Sequence, residues 1–299
     1  MTLLERGYRR LHYTPTGILQ RVWPIALLEL KAMFRVRFGA VLYLICLGPT
    51  IGSLIFLLVR AGIWELTPQG GGMGDRMGRG MAGSAIDPST PTFFLTPIFT
   101  LSMVPFLILT TLVSVRAVAK DRAAGALEMY WTRGITPLWY FVGKWSGSCL
   151  LLTSAFVAAP CVLWLTSVLL APDWRQFEAT IPFVPGMLLG LACVCALLSL
   201  LAVSLSALVG TPNFASILWL LLFVGTLVGG QILRFLFKEN WVTAINPWRA
   251  SKRVVEVFAG DVPFFDYSPW AAVGFLGGMV ACIFLLALRR LRVAEVVAS

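Results

Sequence analysis

Residues 179–233 read ATIPFVPGMLLGLACVCALLSLLAVSLSALVGTPNFASILWLLLFVGTLVGGQIL, and not one of them is charged. At ~1.5 Å of rise per residue, one helix of this length would be more than twice as long as the ~30 Å hydrocarbon core of a bilayer is thick. The stretch therefore has to fold back on itself. Gly210-Thr211-Pro212-Asn213 is the adequate breaker near its middle, which predicts a fourth span over about 182–209 and a fifth over about 214–233. Each half carries a small-x-x-x-small pair, Gly186/Gly190 and Gly225/Gly229. That spacing lets helices approach closely, either within the chain or between two copies, and packing within the chain is the expectation.

The rest of the sequence agrees with that membrane reading. Hydrophobic residues make up 58% and charged residues 13%, with a mean hydropathy of +0.84, far outside the soluble range. Four further apolar runs complete an all-α integral membrane protein of six transmembrane helices, one domain over 1–299. They are about 38–59, 93–115 with Pro97 and Pro105 as expected kinks, 145–171 with Pro160 as an expected bend, and 267–288. Residues 1–37 are polar and basic. A helix from Trp23, with Pro24 in its first turn, is expected to lie along the membrane surface with Lys31 and Arg35 near anionic headgroups. Residues 61–91 are Gly-rich and aperiodic, a loop outside the membrane. No cleavable leader is visible, because Arg9-Arg10 stand too far from the first apolar run.

The charge distribution orients these spans. With the N-terminus inside, the inner segments hold fifteen Lys/Arg and five acids, and the outer segments hold nine of each. The whole net charge of +10 then lies on the inner side, as the positive-inside rule requires, so nucleic acid is not the expected partner. Both termini are expected in the cytoplasm, in a bacterial-type inner membrane. The weak point is the basic cluster Arg249, Lys252 and Arg253 in the outer loop 234–266.

Several chemistries are disfavoured. All six cysteines fall within apolar runs without a C-x-x-C pair, and read as small buried hydrophobes. His12 is the only histidine, so a His-ligated metal site or a Ser-His-Asp triad cannot be assembled within one chain. Met73, Met77 and Met81 recur every fourth residue, as soft Cu(I) ligands would, but the glycines between them oppose the helix that would align them. No catalytic residue, metal or cofactor is expected in the chain.

One segment between spans is both charged and helix-like: RAVAKDRAAGALEMYWTRGITPLWYFVGK, Arg116 to Lys144. Asp121 is a suitable N-cap for a short helix over about 121–131, Gly134 a stop, and Pro137 a restart. The run Lys120-Asp121-Arg122-Ala123-Ala124-Gly125-Ala126-Leu127-Glu128, with Pro137 and the Gly143-Lys144 pair, resembles the cytoplasmic coupling helix of ABC-2-type transporter permeases. The specific likeness covers about thirty positions; the order of tail, spans and loops extends it along the chain. Ala126, where the family usually has Thr, and the aromatic Tyr130-Trp131 depart from the pattern.

The resemblance implies a permease subunit of an ATP-driven exporter. Residues 1–37 would then end in the family's elbow helix. Asp121, Arg122, Gly125, Leu127, Glu128 and Met129 would couple to a separate ABC ATPase, with Leu127 and Met129 as apolar anchors. The chain has no G-x-x-x-x-G-K-[ST] loop, so ATP and Mg would sit on that partner. A second permease chain, most simply a copy of itself, would complete the path. The likeness extends to the outer loop 234–266, whose Asn246-Pro247 precedes a half-helix with a Gly260 stop. Trp248, Val254, Val255 and Phe258 would form an outer gate there, lying against membrane lipid at the outer leaflet. The predicted spans lack Asp, Glu, Lys, Arg and His, which disfavours ion-coupled carriers and suits amphipathic or lipid-like cargo. The alternative is a membrane anchor that relays ATPase motion to an outer partner. An intramembrane enzyme is disfavoured for want of catalytic groups. Trp64, Trp131, Trp145, Trp241, Trp248 and Trp270 are expected as interface anchors.

Overall fold

The computed structural model describes residues 18–35, 37–66, 88–132, 135–171, 174–260 and 267–298, and every regular element among them is helical. The helices are α1 (Ile18–Arg35), α2 (Arg37–Leu66), α3 (Pro91–Thr96), α4 (Met103–Thr110), α5 (Arg116–Ala123), α6 (Ala126–Thr132), α7 (Pro137–Leu169), α8 (Arg175–Thr180), α9 (Val184–Leu208), α10 (Pro212–Phe237), α11 (Pro247–Ala259) and α12 (Pro269–Ala298). Two π-helical turns, Pro97–Leu101 and Thr111–Val115, and a 3-10 turn, Trp241–Ile245, join some of them.

Among the described residues, six stretches are long and apolar enough to cross a membrane: Arg37–Val59, Met103–Ala123, Pro137–Leu169, Val184–Leu208, Pro212–Phe237 and Pro269–Leu291. Prolines set many of the boundaries. α3, α7, α10, α11 and α12 each begin on a proline, which is preset for the first helical turn and has no N–H to leave unpaired there. The third span accordingly starts at Pro137 and not near Trp145, which places Lys144 two turns inside the helix.

The second span differs from the expected 93–115. Pro105 has no amide to offer the carbonyl four residues earlier, and the helix breaks at Ser102 (φ −88°, ψ 2°). Ser102 Oγ donates back to Pro97 O at 3.1 Å, and Trp248 Nε1 donates to Phe99 O at 2.8 Å. The uninterrupted span is therefore Met103–Ala123, in which α4, the π turn and α5 follow one another without a loop.

The core lies around the second and fourth spans, each 61% buried against 22%, 17% and 22% for the first, fifth and sixth. Phe106 sits at its centre, 4.8 Å from the Trp248 ring and 5.2 Å from Phe156 by centroids. Trp219 Nε1 donates to Thr110 Oγ1 at 3.1 Å, so the buried indole leaves no orphan donor.

α11 is held within this core, which corrects the expectation that its apolar residues face lipid. Asn246 caps it by accepting from the amides of Trp248 and Arg249, while its own amide donates to Phe223 O (2.9 Å) and Thr226 Oγ1 (3.1 Å) of α10. Trp248, Val254 and Val255 are buried, and only Phe258 of the expected set is exposed. Among the tryptophans expected at the interface, Trp248 is internal, Trp145 is half-buried with its Nε1 donating to Ala196 O, and Trp241 and Trp270 are exposed.

The two glycine pairs have different fates. A Cβ on Gly186 would clash with Phe258 O, and one on Gly190 would lie 2.9 Å from Phe258 Cβ, so α11 rests directly on this face of α9. A Cβ on Gly229 meets nothing within 4 Å, and one on Gly225 meets only Leu221 of its own helix. Gly186→Ala is therefore expected to destabilise the chain by about 1–3 kcal/mol through overpacking. Gly229→Ala is expected to stabilise it by up to about 1 kcal/mol through helix propensity. Thermal unfolding in detergent checks both signs. Met73, Met77 and Met81 lie outside the described residues.

Candidate functional site

The 116–144 segment does not form one helix over 121–131. Gly125 adopts φ +67°, a left-handed conformation that suits glycine, and separates α5 from α6. Asp121 consequently lies in the last turn of α5 and does not cap a helix start. Its carboxylate instead accepts from Tyr140 Oη at 2.7 Å and pairs with Lys144 Nζ at 2.7 Å, both on α7.

Lys144 is 5% exposed and binds a second carboxylate, Glu29 of α1. The geometry explains the Gly143-Lys144 pair. Without side chains at 143 and 147, α1 can lie directly on α7: a Cβ on Gly147 would be 2.8 Å from Ala26 O and 3.0 Å from Glu29 Cβ, and one on Gly143 would be 3.0 Å from Ile25. Glycine brings the backbones together, and the adjacent lysine neutralises what they carry. Three elements are thus joined at one buried ammonium, and removing any one partner would leave a buried charge uncompensated.

Further contacts fix α5 from its other side. Ser206 Oγ of α9 accepts from the amides of Val118 and Ala119, both at 3.0 Å, just past the π turn that disturbs the helical ladder. Arg122 Nη1 donates to Val209 O at 3.1 Å, and Arg116 Nη2 to Asn213 Oδ1 at 3.1 Å. Leu127 is 5% exposed and packs with Val118, Tyr140, Phe141 and Leu291.

The residues expected to couple to a partner therefore divide. Asp121, Arg122 and Leu127 turn inward and hold the segment to the bundle, which corrects the reading of Leu127 as an outward anchor. Gly125 is exposed and Met129 is 60% exposed, beside exposed Lys120, Ala123 and Ala124. The backbone of Glu128 is helical, and its side chain lies outside the described residues. Sequence reading missed Glu29, Tyr140 and Lys144 as a set. The available signal was Glu29, a lone acid among the cations of residues 21–37.

At the far end of the bundle the basic cluster is satisfied internally. Glu256, 3% exposed, lies 3.8 Å from Lys252 and 3.7 Å from Arg253, and Arg253 Nε donates to Tyr267 O at 3.2 Å. Burial, aided by the Glu256 carboxylate, pushes the Tyr267 phenol up to about 12, so it stays neutral at physiological pH. Among the described residues, no group of three or more His, Cys, Asp or Glu side chains converges as a metal site would require. Comparison with protein-family models finds no match, and comparison with curated proteins finds no significant one.

Proposed function

We propose that this chain is the membrane-spanning subunit of an ABC-2-type transporter, exporting an amphipathic or lipid-like substrate with energy from ATP hydrolysed on a separate subunit. The observation that carries the reading is the form of residues 116–132. The segment continues the second span, is tied to α1 and α7 through Lys144, and leaves Gly125 and Met129 at its surface. A handle built this way transmits a push from a docked ATPase into a span without first bending. Its surface residues form the docking site; its inward residues make the handle stiff.

In this reading the Arg116–Lys144 end faces the cytoplasm, as the charge count requires. Two copies pair in the membrane, because the sparsely buried first and fifth spans leave broad apolar faces for lipid or a second chain. α11 closes the outer end as an internal plug, with Trp248 latched to the break in the second span. Opening the path would then require α11 to part from that break.

The test is co-purification with the partner ATPase from the native membrane. Glu128→Arg and Gly125→Trp are each expected to remove the association while the chain still folds and inserts. The glycine change strains a left-handed position and places a bulky ring in open space. Retained association in both variants would put the docking surface elsewhere.

A further inference from the structure

The turn joining α9 to α10, residues 208–213, is faced by three arginines, two from α5 and one from α12. Arg122 Nη1 donates to Val209 O, Arg290 Nη1 donates to Leu208 O, and Arg116 Nη2 donates to Asn213 Oδ1. These contacts have a plain structural use, since cations favour the carboxyl end of α9. That use leaves most of the charge over. A guanidinium has five N–H donors, and each arginine spends one here. The Nη2 of Arg122 is enclosed with no hydrogen-bond partner.

No carboxylate among the described residues answers this charge. Asp121 and Glu29 are both committed to Lys144, and Glu256 serves Lys252 and Arg253 at the opposite end of the bundle. The carboxyl end of α9 supplies only about half a negative charge. α10 begins at the same turn, and Thr211 makes no side-chain cap bond to its first amides, which adds positive potential. Among the described residues, three full charges thus meet at one turn with no carboxylate left to answer them.

The surroundings match one kind of anion. Gly210, Thr211, Asn213 and Arg290 are exposed, so the turn is open. From it Phe214, Ile217 and Leu221, all well exposed, run up a bare face of α10. Charge at the end of a span with an apolar track leading into the membrane is the layout of a phospholipid, not of a small soluble ion.

We propose that the 208–213 turn with Arg116, Arg122 and Arg290 binds the phosphate of an anionic phospholipid headgroup, with an acyl chain along Phe214 and Ile217. Guanidinium groups take phosphate oxygens in paired hydrogen bonds; Arg116 and Arg290 have unspent donors to offer, and Arg122, whose Nη2 is enclosed, adds its charge from behind them. Occupancy would pin the second, fourth, fifth and sixth spans together at the leaflet surface. The site rests on the membrane-spanning fold alone and stands whether or not an ATPase partners the chain.

The full chain, purified and returned to nanodiscs of phosphatidylcholine with a minor share of phosphatidylglycerol, tests it by native mass spectrometry of the lipid retained. The chain is expected to retain phosphatidylglycerol in preference to phosphatidylcholine. Arg116→Gln with Arg290→Gln should reduce that preference about tenfold or more, given the contribution of each surface cation. Arg290→Gln alone changes an exposed side chain, is expected to fold, and should reduce it severalfold. Inorganic phosphate at the same concentration should not displace the lipid. A chain without preference, a preference unchanged in Arg290→Gln, or equal displacement by inorganic phosphate would each overturn the assignment.

Discussion

Replacing Lys144 by methionine is expected to cost about 3–5 kcal/mol of stability, the range for breaking a buried ion pair by removing one partner. Methionine preserves most of the volume, so the loss does not come from a cavity. It comes from leaving Glu29 and Asp121, whose side chains are only 14% and 19% exposed, without their shared cation. The triple variant Lys144→Met, Glu29→Gln, Asp121→Asn should recover most of that loss, because replacing all partners by neutral groups removes the uncompensated charge. Unfolding in detergent compares the two. Equal stability of the single and triple variants would show that the three groups do not act as one cluster. In transport the triple variant separates two roles. Under the proposed function, a cluster that serves coupling as well as stability predicts a triple variant that folds and binds the proposed ATPase but transports poorly.

The second large effect is expected at the opposite end. Trp248→Ala removes a ring packed against Phe99 and Phe106 at centroid distances of 5.4 and 4.8 Å. It also enlarges an apolar cavity that Trp248 lines together with Ile98, Phe156 and Leu198. A cost of about 3–5 kcal/mol follows for truncating a buried tryptophan. Trp248→Phe keeps much of the packing and loses the indole donor, leaving Phe99 O without that partner at a cost of about 1–3 kcal/mol. The pair of variants distinguishes packing from latching: similar losses in both would assign the effect to the hydrogen bond, and a loss confined to alanine would assign it to packing. If an ATPase docks on residues 116–132 as proposed, neither variant should weaken that association in the folded fraction, because Trp248 lies at the far end of the bundle from them.

Much of this protein is legible without coordinates. The uncharged run 179–233 requires a fold-back, and Thr211-Pro212 sits where the fifth span begins. Proline placed the start of α7, and the Gly260 stop ends α11 in the left-handed conformation such a stop requires. These features are local: chain length against bilayer thickness, a ring that fixes φ, a residue without Cβ. They act on neighbouring residues and so are written in order along the chain.

What only the tertiary structure decided is which face of each helix is covered. In a soluble protein, polar residues mark the exposed face of a helix and reveal the buried one. In a span, lipid and protein interior are both apolar, and that mark disappears. Gly186/Gly190 and Gly225/Gly229 have the same spacing, yet α11 sits on the first pair while no other element approaches a Cβ placed on the second. Val254 and Val255 read as residues for lipid and lie in the core for the same reason. Lys144 meets Glu29 across 115 positions and Asp121 on another helix. Charge pairing inside the bundle depends on which helices touch, and in this chain that choice is made by glycine contacts and closely packed aromatics whose spacing in sequence does not reveal their partners.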